Sequence, residues 1–206
     1  ADPNTSANER YLEIHNAGAT AIDLSNYQVN NYNNGDSTSP YAQQLSGTLA
    51  AGGFFVFCND AMAFGSTFTP ATCDQDGNVF TNGNDVWQLE SFGGSTVIDA
   101  FGELGVDGTS TAWEYEDGRA QRDFCAPVTS ANSTFDVSEW LIDGDNGNGN
   151  GAQDAPGSFD PGAWSCPTTE VDACINNPCD ADATCSDIAG ADDTTAGRTC
   201  ACNSGF

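Results

Sequence analysis

Tyr11-Leu12-Glu13-Ile14-His15 alternates along the chain, with Leu12 and Ile14 on one face, and Asn16-Ala17-Gly18 then turns it. That alternation predicts a half-buried strand followed by a turn. The same reading places short strands at 21–24, 27–29 and 45–49, with a tight turn at Ala51-Gly52-Gly53. Phe54-Phe55-Val56-Phe57-Cys58 is apolar throughout, which predicts a central strand. Segments 85–89 and 96–101 predict a hairpin across Gly93-Gly94, and later strands are expected at 120–125 and 138–142. No segment shows helical periodicity over two turns. Many short strands divided by polar, Gly-rich turns predict an all-β domain, a β-sandwich, over residues 11–164.

Length and composition agree with this. The 206 residues suit one sizeable β domain with a small appendage. Hydrophobic residues make up 38%, with 12 Phe, 4 Trp and 5 Tyr, enough for a real core. Charge changes the picture more: 30 Asp and Glu face 4 Arg and no Lys, a formal net charge of −26. Nucleic acid and anionic lipid would be repelled, so neither is expected as a partner. No run reaches the ~18–20 apolar residues of a membrane span, and no membrane insertion is expected in this segment. Nine cysteines beside a single histidine point to an oxidising compartment rather than to zinc, hence to an extracellular protein, secreted or at a cell surface. The sequons Asn4-Thr5-Ser6 and Asn132-Ser133-Thr134 make Asn4 and Asn132 candidate glycosylation sites.

Several short motifs occur in a telling order: Tyr11-Leu12-Glu13-Ile14-His15-Asn16, Ala21-Ile22-Asp23-Leu24-Ser25, residues 45–53, Asn82-Gly83-Asn84-Asp85-Val86, Val97-Ile98-Asp99-Ala100-Phe101-Gly102, and Ser138-Glu139-Trp140. Over about residues 8–164 this order resembles the lamin tail domain, which implies an immunoglobulin-like β-sandwich. Members of that family usually open with an apolar strand before the Tyr-Leu-Glu-Ile segment. Here residues 1–10 precede it and are polar throughout. A sandwich lacking an edge strand exposes unpaired N–H and C=O groups beside an apolar groove. Another chain, or sequence upstream of Ala1, can fill such a groove by strand addition; otherwise the domain has shortened, or residues 1–10 cover the edge as a loop.

The C-terminal cysteines follow a second pattern. Cys174, Cys179, Cys185, Cys200 and Cys202 are spaced C-x4-C-x5-C-x14-C-x-C, which resembles an EGF-like module over residues 172–206, after a linker at 165–171. The resemblance implies the pairs Cys174–Cys185 and Cys179–Cys200, and a sixth cysteine beyond Phe206 as the partner of Cys202. Within the sandwich, Cys58 ends a strong strand and Cys73 lies in the following loop, so the two are expected to clip that loop. Cys125 and Cys166 remain, and their pairing would tie the linker to the sandwich.

Calcium is the most plausible ion. Some EGF-like modules bind it through acidic residues just before the first cysteine and an Asp or Asn after the third. Glu170, Asp172 and Asp187 stand at matching places, although Ala173 and Arg198 depart from the pattern. The low-complexity loop from Asp143 to Asp154 is a second candidate. There Asp143, Asp145, Asn148, Asn150 and Asp154 echo alternating oxygen-ligand loops. Beyond it, Phe159 and Trp164 are placed to dock back onto the sandwich.

Catalysis finds little support. His15 is the only histidine and reads as a surface or edge residue of its strand. No G-x-S-x-G elbow, G-x-G-x-x-G or P-loop occurs, and carboxylates are too numerous for any one pair to suggest a glycosidase. Trp87, Phe55 and Phe57 read as core, Trp113 and Tyr115 as packing, and Arg119 and Arg122 as internal ion-pair partners. The expectation is a non-enzymatic structural glycoprotein of a filament or matrix, with other copies of itself or other extracellular proteins as partners. The alternatives are a calcium-dependent adhesion or carbohydrate-recognition module, with glycans as ligand, and an accessory domain of a secreted hydrolase.

Overall fold

The computed structural model describes residues 1–2, 7–38, 40–94, 96–122, 131–143, 159–162, 183–187 and 198–202, the last two segments and Asp143 as backbone alone. The chain divides into two compact units, Ala1–Trp164 and Ser165–Phe206. Among the described residues strands dominate, with one short α-helix.

The first unit contains a three-stranded sheet in the order β1 (Tyr11–His15), β6 (Phe54–Cys58) and β7 (Gln75–Asp76). A four-stranded sheet runs β4 (Tyr41–Gln44), β3 (Tyr27–Tyr32), β8 (Val86–Ser91) and β9 (Val97–Phe101). Among the described residues it also has two small pairs: β2 (Ile22–Asp23) with β5 (Thr48–Leu49), and β10 (Arg119–Arg122) with β11 (Trp140–Asp143). Both larger sheets feed the main core. Phe55 and Phe57 from β6 and Leu12 and Ile14 from β1 pack in one cluster with Val29, Trp87 and Phe101 of the four-stranded sheet.

The continuous apolar run of β6 has a physical reason, because both faces of this strand are covered. Phe55 and Phe57 face the main core, while Val56 and Cys58 join a second cluster with Tyr11, Phe64, Phe68 and Phe159. The four-stranded sheet differs. Its β3 and β8 alternate, with Val29, Trp87 and Leu89 packed in the main core. Gln28, Asn30, Gln88 and Glu90 stand on the opposite face, where Gln28 Nε2 donates to Glu90 Oε2 at 3.1 Å.

Several expectations are corrected. Helix α1 (Ala61–Thr67) was not foreseen. Asp60 caps it by accepting from the N–H groups of Met62 and Ala63, and Phe64 anchors it in the second cluster. The strand expected at 45–49 is shorter: Leu45 is a buried core residue, and only Thr48–Leu49 pairs, with β2. β4 precedes it instead, and β7 adds a two-residue parallel rung to β6. Leu24 leaves the predicted strand for a 3-10 turn, Leu24–Asn26, capped by Asp23. Val137–Glu139 is likewise a 3-10 turn, so β11 starts at Trp140. Phe159 does dock, being buried against Tyr11 and Phe68. Trp164 lies outside the described residues.

In the second unit, β12 (Ala183–Asp187) and β13 (Arg198–Cys202) form an antiparallel hairpin whose register sets Cys185 opposite Cys200.

Candidate functional site

β1 and β10 are both terminal strands. β1 uses one edge for β6, and β10 uses one edge for β11. The remaining edges line the same cavity, of about 590 Å³, whose walls include Ile14, Val29, Leu89, Phe101, Ala120 and Trp140. Its lining combines core side chains with the charged residues Glu13, Asp99, Arg119, Arg122 and Asp160.

Ala1 lines this cavity, and residues 1–2 bridge from β1 to the residue just ahead of β10. The Ala1 ammonium donates to the Tyr11 carbonyl at 2.7 Å, and the Tyr11 N–H donates to the Ala1 carbonyl at 3.3 Å. Asp2 N–H donates to the Gly118 carbonyl at 2.8 Å, just ahead of β10. The Asp2 carboxylate, itself buried, pairs with Arg10 at 2.6 Å. Among the described residues of the loop expected over 1–10, Ala1 lines the groove, and Ala7–Glu9 is a 3-10 turn.

Burial tunes the groups at this end. Desolvation pushes the Ala1 amine down to about 5, and it pushes the Glu13 carboxyl up to about 7 against a hydrogen bond from Gly162 N–H. Desolvation also raises Asp2, with Arg10 pulling the other way.

Arg122 organises the opposite wall. Its guanidinium pairs with Asp99 and with Glu139, the latter at 2.6 Å, and lies 4.5 Å from the centroid of the Trp140 ring. Burial raises the Asp99 carboxyl while Arg122 holds it down. Asn132 closes the network, its N–H donating to Asp99 at 3.1 Å and its Nδ2 to Glu139 at 3.0 Å. The candidate glycosylation atom of Asn132 thus already serves an internal hydrogen bond. Arg119 pairs with Asp160 at 2.7 Å, so both arginines make the internal pairs expected of them.

The remaining candidates scatter. Cys58 and Cys73 form a disulfide, as expected. Trp87, Phe55, Phe57, Trp113 and Tyr115 are all buried in the main core. His15 ends β1 half-buried and stacks on Phe54 at 4.6 Å. Asp143 ends β11, and Asp187 ends β12. Asn4, Cys125, Asp145, Asn148, Asn150, Asp154, Cys166, Glu170, Asp172, Cys174 and Cys179 lie outside the described residues. Among the described residues no three His, Cys, Asp or Glu side chains gather as a metal site. Sequence reasoning pointed to an open edge beside β1 but missed Ala120 and Trp140. Nothing in a linear pattern says that residues more than 100 positions away form the other wall. No family model matches this chain, and no curated protein matches it.

Proposed function

We propose that this chain is a non-enzymatic extracellular structural glycoprotein, a subunit of a filament or matrix held together by contacts between subunits. In this reading the first unit is a lamin-tail-like, immunoglobulin-like sandwich and the second an EGF-like module. One observation carries it: among the described residues no strand pairs with the second edges of β1 and β10, and both strands line a single largely apolar cavity. A free strand edge is a template for pairing, and proteins that remain single normally cover or charge it. Two further facts support the reading. Segments quoted for the resemblance fall on β1, β8 and β9 or lead into them, and the Cys58–Cys73 disulfide suits an oxidising compartment.

The test is to image the natively secreted protein by electron microscopy across a range of concentration and salt. Ordered fibrils or sheets are the expected result. Monodisperse single particles under every condition would overturn the proposal.

A further inference from the structure

Three loops meet at the end of the four-stranded sheet where β3 stops and β8 begins. Asn33 and Asp85 each stand one residue past the last rung, Tyr32 opposite Val86. They continue the ladder as an opposed pair, and Asn34 N–H donates to Asp85 Oδ1 at 2.8 Å. The loop after β9 joins them. Gly108 N–H donates to the Asn84 carbonyl at 2.9 Å, and an added Cβ at Gly35 would lie 2.9 Å from the Asp107 backbone nitrogen.

Asp85 is only 2% exposed. Among the described residues no cation pairs with it, because Arg10, Arg119 and Arg122 serve Asp2, Asp160, Asp99 and Glu139. Burial raises the Asp85 carboxyl, the N–H groups of Asn34 and Asn82 pull it down, and the negative charge of Asp107 adds to the rise. Asp107 itself is exposed at the rim, where the N–H and hydroxyl of Thr109 donate to its Oδ1 at 3.0 and 2.8 Å.

Two amide oxygens beside this pair of carboxylates are buried and have no donor among the described residues: Asn33 Oδ1 and Asn84 Oδ1. Opposed side chains of a ladder share a face, with Cβ atoms about 4.5–5.5 Å apart, so Asn33 and Asp85 point the same way. Asn84 follows from its other end. It is 7% exposed, and its Nδ2 donates to Asp107 Oδ1 at 3.3 Å and to Thr109 Oγ1 at 2.9 Å, which fixes the amide between the two carboxylates. Buried acceptors without donors are costly, and so is a dehydrated carboxylate in the field of a second one. A neutral donor would satisfy the amides alone. A divalent cation answers the amides and both negative charges together, and an all-oxygen set suits calcium.

We propose that Asp85, Asp107, Asn33 Oδ1 and Asn84 Oδ1 form a calcium site that fastens the loops at 33–36 and 103–109 to the start of β8. With no third carboxylate in the group, the expected affinity is roughly 0.1–1 mM, in the range of extracellular modules. The site is separate from the calcium candidates at 143–154 and 170–187, and it does not depend on self-assembly.

The test uses the full chain after dialysis against EDTA, with calcium chloride as probe and sodium chloride at matched ionic strength beside it. Hydrogen exchange at the amides of Asn34 and Gly108, which donate to Asp85 and Asn84, reads the loops directly. Calcium at about 10 mM should slow both amides at least ~10-fold, and sodium should not. Asn33→Ala and Asp107→Asn should each raise the calcium needed at least ~10-fold while still melting cooperatively. Asp187→Asn, at the end of β12, is the control and should respond as wild type does. Unchanged exchange in wild type would overturn the site. So would equal slowing by sodium, which would mean that salt merely screens the two carboxylates, or an undiminished calcium response in both variants. Should one variant fail to fold, the other variant and the wild-type exchange still decide.

Discussion

Ala1 and Glu13 both line the cavity with opposite titration behaviour: burial holds the Ala1 amine at about 5 and the Glu13 carboxyl at about 7. Both are thereby kept near neutral where neither is fully hydrated, and each influences the other through its charge.

Their effects on stability oppose each other. Between about pH 5 and 8 the unfolded chain binds a proton on the amine that the folded chain lacks, so this group makes stability rise with pH. From about pH 4.5 to 7 the folded chain keeps a proton on Glu13 that the unfolded chain has lost, so this group makes stability fall with pH. Glu13→Gln removes the second effect, and because the Glu13 charge raises the Ala1 amine, it leaves the first effect in place with that amine held low; its amide oxygen still accepts from Gly162. The variant should match wild type near pH 4 and exceed it by on the order of 2–3 kcal/mol at pH 8. Urea unfolding at the two pH values checks this, and a difference that does not grow with pH would refute it.

Arg122 is the centre of the other wall, and its removal should be costly. Arg122→Met keeps much of the packing on Trp140 but leaves Asp99 and Glu139 without their shared cation. The loss should be about 3 kcal/mol, because a largely buried carboxylate is left uncompensated. Adding Asp99→Asn should restore part of it, since the orphaned charge is gone. Denaturant midpoints for the two variants and their combination give the answer. A combination that simply sums the two losses would show that charge burial is not the cause.

How much of this was legible in the sequence depended on the range of the interactions involved. β1 and β6 were readable because alternation in Tyr11–His15 and a solid apolar run in Phe54–Cys58 report burial on one or both faces. The β8–β9 hairpin was readable because Gly93 and Gly94, both at positive φ, mark its turn. Helix α1 was not, since its seven residues hold one buried apolar side chain, Phe64, with Phe68 just past its end, and a cap plus tertiary packing supplies the rest. β7 has two residues and takes its conformation from β6, not from its own pattern. The backbone bonds between Ala1 and Tyr11, and the placing of Ala120 and Trp140 across the cavity from β1, depend on contacts that no local pattern encodes.

Gly83 and Gly93 offer a controlled comparison of backbone strain with crowding. Both have φ near +95°. At Gly83 an added Cβ would lie 2.3 Å from the Glu116 backbone nitrogen, whereas at Gly93 it would meet nothing within 4 Å. Gly93→Ala should therefore cost about 1 kcal/mol, the conformational penalty alone. Gly83→Ala should cost about 3 kcal/mol or more, because the backbone at residues 115–116 must move away. Thermal or urea melts of the two variants distinguish these outcomes, and equal losses would mean that the close approach at Gly83 relaxes freely.

The Cys58–Cys73 disulfide should stabilise one region before the rest. It joins the end of β6 to the segment just before β7 and encloses α1, a helix too short to persist by its own propensity. Tyr11 holds α1 from the other side, with ring centroids 5.4 Å from Phe64 and 5.5 Å from Phe68. Replacing both cysteines by alanine reopens a loop of 15-residue separation, for an expected loss of about 3 kcal/mol in the chain-entropy model. The cost should not be spread evenly in the native state. With the staple gone, the enclosed segment gains a route to open while β3 and β8 stay paired across the four-stranded sheet. Native-state hydrogen exchange should therefore show the amides of Phe64 and Phe68, which donate to Asp60 and Phe64, losing protection ahead of those of Val29 and Leu89. A uniform loss across all four would show instead that the disulfide acts on global unfolding alone.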